Sequence, residues 1–226
     1  SQLIYKKRKI ATVPEAIKNS IVATNLSNKV QNLFQPFDIK AIEYLKEAFI
    51  SETNYILAVG SMDNDVKQID KLILAYSESN LPKQNIKLIV LGEGKNKRDY
   101  LKLVENLNLS QKVVFKGIVQ NPFPYYKNAL FYVLSSKNEG LSNAIVESLA
   151  CATPVVAFDC FSGPREIITN GHNGILVENQ NFEKLTEAMN QMISDNELYQ
   201  NLKKNAVGSI GKFSIDLIGK QWVEFI

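Results

Sequence analysis

From Asn54 onward, short apolar runs alternate with amphipathic stretches. The runs predict strands over 55–59, 87–91, 113–116, 130–134, 154–158 and 175–177. The stretches between them predict helices over 66–77, 97–106, 122–127, 142–150, 165–169, 182–194 and 196–207, with a last helix from Ser214. Strands that are apolar along their whole length and separated by helices belong to a parallel sheet covered on both faces. The expected fold is therefore α/β, a doubly wound parallel sheet of the Rossmann-like kind. Gly60-Ser61, Gly92-Glu93-Gly94 and Glu139-Gly140 each follow a strand directly. They mark strand C-terminal ends, where open α/β sheets bind ligands.

Residues 1–50 read differently. A strand over 9–13 and a helix over 14–24, with Pro14 near its first turn, precede a short apolar run over 30–33. Gln35-Pro36-Phe37-Asp38 then turns the chain, and 39–50 is amphipathic.

Composition narrows the class. A chain of 226 residues with 45% hydrophobic and 22% charged residues suits a soluble globular protein with a sizeable core. A net charge of +3 is too small to argue for a nucleic-acid partner. The charge is uneven, +4 over residues 1–50 and −1 over the rest. Lys6, Lys7, Arg8 and Lys9 dominate the excess, as a solvated basic tail or as a contact to an anionic membrane surface. Cys151 and Cys160 form neither a metal motif nor a disulfide framework, and read as small thiols in a reducing compartment. No transmembrane stretch or secretory signal is visible, so a cytoplasmic location is expected.

The most informative window runs from Asn138 to Ala150. Seven residues separate Glu139, in a loop after a strand, from Glu147, about two turns into a helix. Between them Gly140, Leu141 and Ser142 offer backbone N–H groups at a helix N-terminus, which suits a phosphate. Carboxylates accept hydrogen bonds from hydroxyls. The window thus reads as a grip on hydroxyls flanking a diphosphate, as in a sugar nucleotide.

This window resembles the signature of the family 4 retaining glycosyltransferases, whose GT-B fold has two Rossmann-like domains. Thr153-Pro154-Val155-Val156-Ala157, Ser162-Gly163-Pro164-Arg165-Glu166 and Asn170-Gly171-His172-Asn173-Gly174 extend the likeness. The resemblance implies that Glu147 accepts from ribose hydroxyls and that Glu139 faces the transferred sugar. It implies that Lys67, opening a helix, neutralises the diphosphate. It places backbone groups at Ile118 and Val119 on the base, and Gly60, Ser61, Gly92 and Gly94 around the donor. The resembled enzymes carry an Arg where Ser61 stands, and Arg165 is a possible substitute. The donor would be a nucleotide diphosphate sugar, UDP by preference, carrying a hexose or N-acetylhexosamine. The acceptor would be a glycan or lipid-linked, and no cofactor or metal would be needed. Residues 1–38 would be a remnant of an acceptor domain plus linker, and 39–226 the donor domain. Such a piece is expected to be inactive alone.

Other readings stand beside this one. Asp63-Asn64-Asp65 resembles a metal-binding triplet, but Asp and Asn are ordinary residues before a helix. Glu166 could touch the sugar or steady a helix start. His172, the lone histidine, reads as a turn residue. At the level of function, a non-catalytic nucleotide-sugar-binding module and a sugar-nucleotide epimerase of similar fold are the alternatives. An NAD oxidoreductase is disfavoured, because no GxGxxG follows the first strand of the domain.

Overall fold

The computed structural model describes residues 10–13, 15–23 and 30–226. The basic run over 5–9, and with it the expected membrane contact, lies outside these residues. Near the start, β1 (Ile10–Thr12) and β2 (Val30–Asn32) pair in parallel, with α1 (Glu15–Ala23) between them.

The main sheet contains β3 (Tyr55–Val59), β4 (Lys87–Leu91), β5 (Val113–Gly117), β6 (Tyr132–Leu134), β7 (Val155–Phe158) and β8 (Gly174–Val177). Every pairing is parallel, in the order β5-β4-β3-β6-β7-β8. The chain thus winds outward from β3 to β5, returns, and winds outward again from β6 to β8. Side chains alternate across the sheet, as strand geometry requires. Ile56, Ala58, Leu88, Val90 and Val133 face one core, with α3 (Ile69–Glu78), α4 (Lys97–Asn106) and α8 (Phe182–Ser194). Tyr55, Leu57, Ile89, Tyr132 and Leu134 face the other, with α2 (Ile39–Leu45), α5 (Phe123–Asn128) and α6 (Asn143–Ala150). Burial on both faces explains why these strands read as continuous apolar runs. The doubly wound expectation holds.

Two helix expectations need correction. The helix expected over 66–77 begins only at Ile69, because Gln68 sits in the left-handed region (φ 50°, ψ 42°). Lys67 therefore lies in the preceding loop and does not open the helix. The helix expected over 165–169 is α7 (Pro164–Ile167). Ile168 is extended there, and the Asn173 amide ties off the segment by accepting from Thr169 N at 2.8 Å and donating to Ile167 O at 3.1 Å. The amphipathic stretch over 39–50 is helical only to Leu45.

After α9 (Asn196–Ala206) and a 3₁₀ segment (Val207–Phe213), α10 (Ile215–Phe225) returns to the start of the domain. Phe37 N donates to Phe213 O and Ile215 N to Phe37 O, each at 2.9 Å. Phe34 packs edge-on against the buried ring of Phe213 at 4.9 Å, and Trp222 Nε1 donates to Phe34 O at 3.1 Å. Phe213→Ala should empty the middle of this clasp and cost ~3–5 kcal/mol, read as a lowered urea midpoint.

Candidate functional site

The candidate residues gather where the strand order reverses, at the C-terminal ends of β3 and β6. Open α/β sheets place their ligand crevice at such a point, because loops from the two strands diverge to opposite faces.

From β3 the loop over 60–68 carries Gly60, Ser61 and Lys67. Two bonds hold its far end to the chain leaving β6: Ser135 Oγ donates to Lys67 O, and Lys137 N to Val66 O, both at 2.8 Å. These bonds take the backbone of 66–67 away from a helical path, which is the local reason Lys67 is a loop residue. The Lys67 stem crosses over Gly60, where an added Cβ would lie 2.8 Å from Lys67 Cγ. Gly92 (φ +128°) lies behind, and the close approach it permits is to the Gly60 carbonyl, 2.0 Å from where a Cβ would stand. Gly94 backs the same loop at Met62. Ile118 is exposed and Val119 half-buried, just beyond β5.

From β6 the chain runs through Asn138 and Glu139 into α6. Lys67 Nζ meets Glu139 Oε1 at 2.5 Å, an ion pair largely shielded from water. The segment after β7 fixes Glu139 from below. Asn138 pairs with Phe161, and Ser162 Oγ donates to Glu139 O at 2.8 Å. Ser162 itself is left-handed (φ 59°), and Gly163 (φ +81°) lies so close that an added Cβ would stand 1.7 Å from Gly140 O. Strain of this kind persists only where surrounding contacts over-determine it. A Cβ added at Gly140 itself would meet nothing within 4 Å. Ser142 makes no side-chain cap on α6, so its hydroxyl does not close off the first helical amides.

Glu147 sits on α6, partly buried, with Tyr126 Oη donating to its Oε2 at 3.1 Å. Burial pushes its carboxyl above the ordinary value, against the lowering effect of the Tyr126 bond. The buried Tyr132 phenol feels both Glu139 and Glu147, which together with burial raise it well above its usual value.

The remaining candidates are otherwise occupied. Arg165 makes a two-point bond to Asp159, Nε to Oδ1 at 2.8 Å and Nη2 to Oδ2 at 2.6 Å. Asp63 accepts from Ser61 Oγ at 3.0 Å and Lys95 N at 3.1 Å, and Asp65 pairs with Lys137. Among the described residues, no group of three His, Cys, Asp or Glu could hold a metal ion. His172 N closes a turn onto Thr169 O at 3.0 Å. Both cysteines are buried free thiols, raised by burial to about 12 for Cys151 and about 11 for Cys160. Sequence reasoning missed Tyr126 and gave Ser162 no role. Nothing marks Tyr126 among the aromatics of Phe123-Pro124-Tyr125-Tyr126, whereas Ser162 stands in a Ser-Gly-Pro run whose turn signal does not show its bond to Glu139.

A doubly wound α/β domain with paired Lys and Glu at its switch point defines a class of ligand-binding sheet. The description "Glycosyl transferases group 1" matches residues 40–208, and the chain belongs to that family. It is 33% identical over 216 residues to the N-acetylgalactosamine-N,N'-diacetylbacillosaminyl-diphospho-undecaprenol 4-alpha-N-acetylgalactosaminyltransferase of Campylobacter jejuni, covering 88% of this chain and 58% of that one. It is 28% identical over 212 residues to the amylovoran biosynthesis glycosyltransferase AmsD of Erwinia amylovora, covering 93% and 57%. The chain thus spans less than two thirds of these relatives. In fold it is similar to TarM of S. aureus, solved with UDP, at a TM-score of 0.84 and 23% identity over 96% of this chain and 43% of that one. Anabaena HepE with UDP gives 0.82 and 20%, over 96% and 62%.

Burial sets up a testable trade-off at Glu147. Its raised carboxyl favours the folded state in full below the unfolded value, and that contribution is lost as pH rises through the folded value. At neutral pH the buried charge is a cost. Glu147→Gln should therefore raise the melting temperature at pH 7, by roughly 2–4 °C for each kcal/mol recovered, with the gain shrinking at acid pH.

Proposed function

We propose that the chain is the donor-binding part of a retaining glycosyltransferase. It would take a hexose or N-acetylhexosamine from a UDP-sugar and pass it to a glycan or lipid-linked acceptor in surface polysaccharide or glycoconjugate synthesis. Residues 39–226 form the donor domain on this reading, and 1–38 belong to the acceptor side. The reaction uses no bound metal and takes place in the cytoplasm, at the inner face of a membrane that Lys6 to Lys9 would touch. Among the described residues, no helix is long and apolar enough to cross that membrane.

The observation that carries this reading is the meeting of Lys67 and Glu139 at the switch point, from loops far apart in sequence. Family membership and relatives named as glycosyltransferases support it. A diphosphate beside Lys67 offers the ammonium a stronger partner than one carboxylate. Once released, Glu139 is free to accept from sugar hydroxyls, while Lys67 and the amides after Gly140 stabilise the departing diphosphate. Glu147 is suited to the ribose because it is a partly buried acceptor with no cation bound to it among the described residues. The acceptor hydroxyl then attacks on the face from which the diphosphate leaves, giving retention.

Calorimetric titration with UDP, GDP, ADP and NAD, without metal and then with Mn²⁺, tests the donor assignment. Metal-independent preference for UDP is expected, and preference for NAD overturns it. Glu147→Ala should weaken UDP by ~1–3 kcal/mol. Glu139→Ala should leave UDP affinity equal or higher, because Lys67 loses a competing partner, while weakening the UDP-sugar. Equal loss for both ligands would contradict a sugar contact.

A further inference from the structure

We propose that Tyr126 is a positioning residue for nucleotide recognition: its hydroxyl holds one carboxylate oxygen of Glu147 and presents the other to the ribose hydroxyls. The proposal rests on the donor-binding reading above.

The chain invests several contacts in placing this one phenol. α5 is a short helix carrying Pro124 in its first turn, and two hydroxyls from other elements grip its end. Tyr55 Oη, from β3, donates to Tyr125 O at 2.8 Å. Thr153 Oγ1, from the turn before β7, donates to Tyr126 O at 2.6 Å. Tyr55 and Thr153 are both buried, and the Thr153 bond is shielded from bulk water at both ends. The Tyr126 ring is fully buried and packs edge-on against Tyr132 with centroids 5.6 Å apart. Backbone and ring are thus both fixed, and the hydroxyl has one place to go, Glu147 Oε2 at 3.1 Å.

A glutamate on a helix has three side-chain torsions. Fixing one oxygen before the ligand arrives removes that ordering cost from binding. The donor chosen is neutral. A lysine or arginine here would satisfy the carboxylate and leave it little need of a ligand. A single phenol leaves Glu147 Oε1 without a side-chain donor among the described residues, and burial keeps the charge short of solvation. The group that answers this need is a neutral hydroxyl donor. A phosphate would be repelled. Glu147 therefore discriminates between the two ends of a nucleoside diphosphate, and Tyr126 keeps it facing the sugar end.

The titratable groups around Glu147 are Tyr126 from α5, Tyr132 from β6 and Cys151 at the end of α6. All three are neutral over the working pH range, since burial raises each of them. Of these, the Tyr126 bond is the contact that lowers the Glu147 carboxyl.

The test is a titration of wild type and Tyr126→Phe with UDP and with 2′,3′-dideoxy-UDP, repeated from neutral to acid pH. Wild type should prefer UDP. Tyr126→Phe should cut that preference by roughly 3–10-fold while leaving the dideoxy affinity unchanged. The acid loss of UDP binding should move to higher pH, because the bond that lowers Glu147 is gone. An unchanged preference with an unchanged pH midpoint, or equal loss for both ligands, overturns the proposal and leaves Tyr126 a packing residue. Should wild type fail to distinguish the two nucleotides, the ribose assignment itself falls, and this proposal with it. If Tyr126→Phe does not fold, Thr153→Val removes the hydroxyl that holds the Tyr126 carbonyl, and a smaller fall in preference with a smaller pH shift in the same direction is expected; no change in either overturns the idea.

Discussion

The pairing of β6 with β3 rather than with β5 is the constraint on which the functional end of the chain depends. It sends the loops leaving these two adjacent strands toward opposite faces, and a crevice opens where they part. The loop over 60–68 is tied to the chain after β6 through Ser135 and Lys137. The Lys67–Glu139 ion pair follows from that tie. With β6 placed elsewhere in the sheet, Lys67 and Glu139 would have no reason to meet.

A second level of order lies behind the crevice and consists of backbone set against backbone. The segment after β4 backs the loop of Gly60, and the segment after β7 backs the loop of Glu139. Both contacts require backbone conformations that glycine alone adopts freely, at Gly92 and Gly163, and the second adds the strained non-glycine Ser162 beside it. The sheet supplies rigid strand ends, the loops supply the chemistry, and the strained residues hold one to the other. Burial of Glu147 belongs to the same pattern: a folded state that would be content with an amide keeps a charge.

Much of this was legible in the sequence, and the reason differs by element. The main strands are apolar on both faces, so their runs stand out, and the winding follows from the helices between them. Glu139 and Glu147 were legible because a loop carboxylate after a strand and a second one down the following helix form a local pattern. Lys67 was recognised as a candidate but given the wrong structure. Its apolar neighbours extend the helical pattern backward, and the left-handed turn at Gln68 has no glycine or asparagine to announce it. Tyr126 was invisible, because its importance lies in contacts to Tyr132, Thr153 and Glu147, three elements that only the fold brings together. Local chemistry was readable, and chemistry assembled across the sheet was not.

The clasp of Phe34 and Phe37 against Phe213 and Trp222 has a mechanical consequence. It joins the entry of the α/β domain to its exit, so both connections lie side by side at one edge. A pull applied between residues 30 and 226 would load this clasp before it reached β3 or β8. The clasp therefore takes up such tension before the sheet and its crevice do.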